Sequence, residues 1–525
     1  MRVALTVNDF LRRAAEVYPD RIGFVDEPDQ PAPGWGEATY REMNRRARAI
    51  AAGLDALGID QGERVAMVSH NSARLLTAFF GVSGSGRVLV PINFRLVAAE
   101  IQYIIDHSGA RILLVDPELA DALAGVRCER TFVIGADTDD ALMRFDAEPR
   151  PWISDEDATA TINYTSGTTA RPKGVQLTHR NLWVNATTFG WHLGVSDRDV
   201  YLHTLPQFHC NGWGMTYAVT GMGGRHIILR KIDGTEILRR IEQHGVTLLC
   251  AAPAVLNMVL DASQQWTADT GRSIPGRDRV RVVVAGAPPP TRTIERIETE
   301  LGWEFVQIYG LTETSPLLTI NRTRAEFDEL TPADRAARLS RAGAPAIGIS
   351  MSTSDQGEVL ARGNVVMAGY WEQPDETAAA IHVGADGQDW FHTGDGGDIG
   401  DGPLGDGHYL TIADRKKDVI ITGGENVSSI EVEDALFSHP EIDEVAVIGV
   451  PDERWGELVM ALVVRSSGST LTEADVIAYV KTRLAGYKCP KKIEFRDDLA
   501  RTATGKLQKF KLREPYWEGR TRSVN

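Results

Sequence analysis

Cysteine is scarce. Cys128, Cys210, Cys250 and Cys489 are scattered over 525 positions, with no C-x-x-C pair among them. That spacing supports neither a disulfide framework nor a zinc site. Long apolar runs are missing too, and no stretch is uniform enough to span a bilayer. Basic excess is also lacking. Lysine and arginine number 56 against 72 acidic residues, a formal net charge of −16 with an isoelectric point near 5.3. A nucleic acid or an anionic membrane needs a basic face, so neither is the expected partner. A local basic patch can still hold an anion, which keeps small nucleotides open. There are no internal repeats and no low-complexity segments. The first residues, MRVALTVNDFLRRAAEVYPD, lack the apolar core and small-residue cleavage site of a secretory leader. They read as an amphipathic helix with Phe10, Leu11, Ala14 and Val17 on one side. The final RSVN is not a peroxisomal address. A cytoplasmic enzyme is the expectation.

What is present is an ordinary globular balance, 43% hydrophobic and 24% charged, in a chain too long for one core. Two domains are expected. Up to about residue 160, short strands (Arg64–Ser69, Arg87–Pro91, Arg111–Val115) alternate with helical patterns such as Tyr40–Leu57. The alternation returns between Val200 and Val284. It predicts an α/β fold with mainly parallel sheets covered by helices. From Gly343 to Leu410 glycine is dense and strands are short, which predicts a small, mostly antiparallel section. After DRKKD the pattern becomes helix, strand, strand, helix, strand, a compact α+β unit. The boundary falls at about Lys417, giving a large domain over 1–416 and a small one over 417–525.

The segment Tyr164-Thr-Ser-Gly-Thr-Thr-Ala-Arg-Pro-Lys-Gly174 follows the strand-like TATIN and precedes the helix-like HRNLWVNATTF. Glycines and small hydroxyl residues let backbone N–H groups crowd around phosphate oxygens, and Lys173 adds a positive charge. The order is not GxxxxGK[ST], so this is not the P-loop of the common NTPases.

With these residues the sequence resembles the adenylate-forming superfamily: acyl-CoA synthetases, peptide-synthetase adenylation domains and luciferases. Nearly the whole chain takes part. YTSGTTARPKG is followed in the family's order by YGLTET (309–314), HTGD (392–395), DRKKDVIITGGENVSSIEVE (414–433) and TATGKLQKF (502–510). Departures are Ala170, where the family usually has glycine, Gly396 after HTGD, and a longer GDGPLGDGHY.

The resemblance assigns roles. Thr165, Ser166, Gly167, Thr168, Thr169 and Lys173 would cradle the phosphates of ATP. Gly286, Ala287 and Pro288 would border adenine and the acyl group. Tyr309 would stack on adenine beside Gly310, while Asp395 and Arg415 would hold the ribose. Thr312 would contact the α-phosphate and Glu313 would hold Mg²⁺, an ion that takes one or two protein carboxylates plus phosphate oxygens. Alone, Glu313 would read as a solvated turn carboxylate; within YGLTET it does not. Lys506 would be the catalytic lysine, Lys417 the hinge of a mobile C-terminal domain, and Gly423 and Gly424 the lining of a coenzyme A tunnel.

Leu205-Pro-Gln-Phe-His-Cys-Asn-Gly-Trp-Gly214 lies where the family builds its acyl pocket. Amino-acid-activating members carry an aspartate where this chain has His209, and an unpaired buried ammonium is costly. The expected acid is therefore uncharged beyond its carboxylate, a medium-chain fatty or small aryl acid. His209 and Trp213 are the gate candidates, with Val255 and Met258 as further pocket wall. FHCNGW is most similar to medium- and long-chain acyl-CoA synthetases. The implied reaction is ATP-dependent ligation of a carboxylic acid to coenzyme A through an acyl-adenylate. Transfer to an amine or a carrier protein stays open, as do a catalytically silent nucleotide binder, a luciferase-type oxygenation and a homodimeric state.

Overall fold

A computed structural model describes residues 1–165, 171–286, 289–384, 386–400, 407–415, 418–422, 425–452, 454–501 and 507–518. The first alternation of strands and helices folds into a seven-stranded sheet. Its order is Gly369–Tyr370, Lys173–Thr178, Thr159–Thr165, Val88–Ile92, Arg64–Val68, Ala110–Val115 and Arg130–Val133. The run from Thr159–Thr165 onward is parallel, and the two strands at the other edge are antiparallel.

The second alternation builds a nine-stranded sheet. It is parallel through Glu304–Gly310, Arg281–Val284, Leu248–Ala251, Val200–Leu202, Arg225–Ile227 and Ile22–Val25. Antiparallel strands close its edges: Leu317–Arg322 and Ala344–Pro345 at one, Glu37–Thr39 at the other. Both faces are covered, as parallel sheets require. Leu248 and Cys250 enter one core cluster, Leu249 and Ala251 another. The covering helices start on side-chain caps. Thr39 accepts from Glu42 N ahead of Tyr40–Ala56, and Ser72 from Leu75 N ahead of Ala73–Gly81. The first helix, Asn8–Val17, buries Phe10, Leu11 and Ala14 as expected. Val17 is instead 52% exposed, because it closes the last turn beyond the neighbours that cover the stripe.

The glycine-dense section is an antiparallel sheet of Ile349–Thr353, Glu358–Gly363, Asp389–Gly400, Ile381–Val383 and Tyr409–Arg415. A further sheet takes its strands, among the described residues, from positions 420–495 alone: Glu425–Val427, Ile420–Thr422, Gly456–Arg465, Ile442–Asp452 and Lys492–Phe495. The helices Ser429–Phe437, Glu473–Lys481 and Lys509–Trp517 accompany it. This unit touches the helix Thr291–Arg296 through polar contacts. Thr291 N donates to Asp434 Oδ1 at 2.9 Å, and Arg292 Nη1 to His439 O at 3.3 Å.

Buried charge ties the two large sheets together. Arg230, just past the strand Arg225–Ile227, grips Asp116, just past Ala110–Val115, through bonds of 2.8 and 2.6 Å. Both side chains are 3% exposed, and the same guanidinium reaches Glu118 at 2.8 Å. Burial pushes the Asp116 carboxyl up, but the hydrogen bonds and charge of Arg230 outweigh it and hold the group below the usual carboxylate range.

Candidate active site

Paired strands flank the phosphate-loop motif. Thr165 ends one strand and pairs with Lys173, which begins the next, antiparallel strand. The sequence pattern had put the loop between a strand and a helix. The strand Lys173–Thr178 intervenes, and the helix His179–Leu193 starts only at its end. VQLT is too short for periodicity to separate a strand from the first turn of a helix. Ser166, Gly167, Thr168, Thr169 and Ala170 lie outside the described residues, as do Ala287, Pro288, Lys417, Gly423, Gly424 and Lys506. Gly286 follows the strand Arg281–Val284 with φ at +93°.

The candidates for the nucleoside end converge. Tyr309 donates through its hydroxyl to Asp395 Oδ2 at 2.7 Å. Asp395 is 8% exposed, and its backbone N–H donates to Thr393 Oγ1 at 3.1 Å. Its partner in the sheet register is Arg415, of which the main chain is described. The strand continues through Gly396 with a local register shift, which suits a residue without a side chain. Gly310 has no room for one either: a Cβ would stand 1.6 Å from Pro316 O.

The candidates for the phosphate end converge on two residues the sequence had not singled out. Glu313 sits in the turn Thr312–Thr314 after the strand Glu304–Gly310. Tyr370 donates to Glu313 Oε1 at 2.9 Å, and Met367 N donates to Glu313 O at 2.8 Å. Burial first, then the charge of Glu313, pushes the Tyr370 phenol well above its ordinary range, so it stays a donor. Lys173 forms an ion pair with Glu376, and its Nζ lies 4.9 Å from the centre of the Tyr370 ring. The available signal in GYWEQPDET was a pair of aromatics ahead of a proline-started, acidic helix. It carries no spacing that points to Glu313.

The acyl segment reaches the same place. Cys210 Sγ lies 3.8 Å from Thr312 O as its donor. Burial, then the charge of Glu313, pushes the Cys210 thiol well up and keeps it neutral. The helical turn Cys210–Trp213 is left-handed. φ is +38° at Cys210, +49° at Asn211, +59° at Gly212, +54° at Trp213 and +81° at Gly214. Each non-glycine residue there costs roughly 1–2 kcal/mol. Buried hydrogen bonds offset that cost. Asn211 donates to Thr161 Oγ1 at 3.0 Å and accepts from Asn163 Nδ2 at 3.3 Å, and Asn163 also donates to Phe208 O at 3.1 Å. Thr161 and Asn163 belong to the strand that leads into the phosphate loop, so one framework holds both segments.

His209 is half-buried beside the Phe208 ring, and Trp213 is 4% exposed in the first core cluster. Val255 packs against the second cluster, which holds the residues of the opposite sheet face, and Met258 is 47% exposed. The expected pocket wall is thus not one continuous surface here. Proximity in sequence to the strand Leu248–Ala251 did not reveal which way the following helix turns its residues.

The chemistry of the donors suits Mg²⁺ held mainly by phosphate. Among the described residues no group of three or more His, Cys, Asp or Glu side chains could hold a metal. Glu313, anchored at main chain and side chain, offers the single carboxylate such an ion needs beside a triphosphate. No helix among these residues is long and apolar enough to cross a membrane.

Residues 11–371 match the family model of the AMP-binding enzymes, and residues 431–506 match the AMP-binding enzyme C-terminal domain. The chain is 36% identical to 2-methylpropanoate–CoA ligase CCL4 of Humulus lupulus, over 97% of this chain and 95% of that protein. It is 35% identical to 4-hydroxybutyrate–CoA ligase 2 of Metallosphaera sedula, over 96% and 93%. Among solved structures, the anthranilate CoA ligase AuaEII in complex with anthranoyl-AMP superposes with a TM-score of 0.85. The sequence identity is 25%, over 98% of each chain.

Proposed function

The chain belongs to the AMP-binding enzyme family, and on that premise we propose that it is an acyl-CoA synthetase using ATP, a carboxylic acid and coenzyme A. The observation that carries this reading is convergence. Segments far apart in the chain, Tyr309 with Asp395, Glu313 with Tyr370 and Lys173, and Cys210 with Thr312, meet around one turn.

In the first step a carboxylate oxygen of the acid attacks the α-phosphorus of ATP. The bond to the β-phosphate breaks and pyrophosphate leaves. Asp395 and Arg415 hold the ribose, Tyr309 stacks on adenine, and Lys173 steadies the phosphates with the loop Thr165–Thr169. Lys506 donates to the charge developing on the α-phosphate. Mg²⁺, when bound at Glu313, neutralises phosphate charge. In the second step the sulfur of coenzyme A, having lost its proton, attacks the acyl carbon and displaces AMP. Gly423 and Gly424 then line the approach of the thiol after rotation about Lys417. We place the domain boundary there because the core of Ile420, Val427, Val447, Val463 and Ile493 is self-contained. A cytoplasmic setting is part of the proposal, although one relative is named peroxisomal.

The acid is proposed to be a medium-chain fatty or small aryl acid, on the strength of His209 and the buried Trp213. Pyrophosphate release over short, medium, long, aryl and amino acids, each with and without coenzyme A, tests the reading. Thioester formation with uncharged acids is expected. Comparable turnover of free amino acids would sink the substrate class, and adenylate without thioester would redirect the enzyme to an amine or carrier acceptor. Trp213→Ala should change relative kcat/KM along a chain-length series by about ten-fold or more, with little change in KM for ATP. An unchanged series would return Trp213 to the core.

Glu313→Gln keeps the shape and removes the charge. Adenylation at low Mg²⁺ should fall by about 10²-fold, the scale for losing one preorganised charge contact, with thermal stability retained. Full activity at low Mg²⁺ would remove Glu313 from the metal.

A further inference from the structure

The segment 367–376 holds the two ends of the phosphate site at once. Its backbone is laced to the strand that begins at Lys173: Gly369 and Tyr370 pair with Gln176 and Val175, and Trp371 N donates to Gly174 O at 2.7 Å. On its other side Met367 N and the Tyr370 hydroxyl grip Glu313. Tyr370 N is pinned in turn by Thr377 Oγ1 at 2.8 Å. A buried phenol must find a partner, and a bond to a carboxylate is among the strong ones. The face of the same ring receives the Lys173 ammonium at 4.9 Å. Lys173 is 18% exposed, whereas its ion-pair partner Glu376 is 45% exposed.

We propose that Tyr370 is a positioning residue that couples Lys173 to Glu313, and that Glu376 is the anion Lys173 releases when a triphosphate arrives. The proposal rests on the reading that ATP binds at this site. Lys173 has its Cα fixed by the sheet and its charge seated on the ring, so it changes partner with little change of place. The half-exposed Glu376 turns to water at small cost, because an ion pair open to solvent is weak. Until it leaves, its charge opposes the incoming phosphates. Glu313, held by the hydroxyl, keeps its orientation whether or not nucleotide is present.

Calorimetric binding of an ATP analogue with a methylene between the α- and β-phosphates tests this, with EDTA and again with Mg²⁺. Wild type, Tyr370→Phe and Glu376→Gln are compared. Tyr370→Phe should leave metal-free binding unchanged and cut the gain conferred by Mg²⁺ about ten-fold, the value of one hydrogen bond to a charged group. Glu376→Gln should bind the analogue several-fold more tightly in both conditions, with a smaller salt dependence. Equal weakening of Tyr370→Phe with and without Mg²⁺ would mean a packing role and overturn the coupling. Weaker binding by Glu376→Gln would make that residue a support for Lys173 and overturn the exchange. Wild type failing to bind the analogue at all would instead overturn the nucleotide reading, and this proposal with it.

Discussion

Replacing Lys506 with alanine should slow formation of the acyl-adenylate by about 10²–10³-fold, the usual loss for one preorganised donor to developing charge. Conversion of supplied acyl-adenylate to thioester should be nearly untouched. The two halves differ in where charge builds. Attack on the α-phosphorus passes through a crowded, charge-rich phosphate that needs a cation beside it. Attack by sulfur on the acyl carbon expels AMP, already a good leaving group. Lys506 stands in TGKLQK, and its flanks are anchored: Arg501 and Leu507 pair across an antiparallel bridge, and Lys509 reaches Glu433 at 2.8 Å. Single-turnover assays of each half-reaction decide the matter. Equal slowing of both halves, or of neither, would remove Lys506 from the proposed role.

The largest effect on stability is expected at Arg230. Arg230→Met leaves Asp116 buried without its counter-ion, a loss on the order of 3–5 kcal/mol for breaking one side of a buried pair. Denaturant unfolding of the large domain measures it. The double change Arg230→Met with Asp116→Leu should recover most of the loss, since replacing a whole buried pair by apolar groups is often close to neutral. A double variant as unstable as the single one would show that the guanidinium acts through packing and not through charge. The pair also has a pH signature. Asp116 is held below the usual carboxylate range, as is Glu118 through its hydrogen bond with Arg230. Their contribution is therefore full above the unfolded carboxylate values near 4 and drains away as pH falls through the lower folded values. Arg230→Met should flatten this acid-side dependence.

Local patterns carried far in this chain because its two main sheets are parallel and buried on both faces. Such strands read as short apolar runs between helical periods, and RVVV at Arg281–Val284 or ARILLV at Ala110–Val115 could be placed almost to the residue. What escaped was pairing across distance. Nothing in 369–370 says that these residues become an edge strand beside Lys173, since a two-residue strand has no period. The Tyr370–Glu313 bond spans 57 positions and depends on that edge. The side-chain directions of the acyl-wall candidates escaped for a related reason. Val255 and Met258 are expected from the sequence as one wall, but the helix starting at Pro253 leaves Met258 47% exposed and packs Val255 against the second cluster. Tyr309 and Asp395 were legible as candidates because each sits in a recognisable motif, YGLTET and HTGD; their mutual bond, which spans 86 positions, was not.

On the proposed reading that Trp213 borders the acid, the left-handed turn at Cys210–Gly214 narrows the alphabet through which substrate range can drift. At φ near +54° a β-branched side chain is close to forbidden, so valine, isoleucine and threonine are poor substitutes for Trp213 whatever volume the acid demands. Glycine and asparagine fit the backbone but surrender most of the bulk. Intermediate sizes must come from unbranched or aromatic residues, which places gaps in the series of pocket shapes reachable by single substitutions. Relatives that diverge in acid preference are then expected to do so more freely at positions on ordinary backbone than on this turn, and a directed library would gain most by randomising there first.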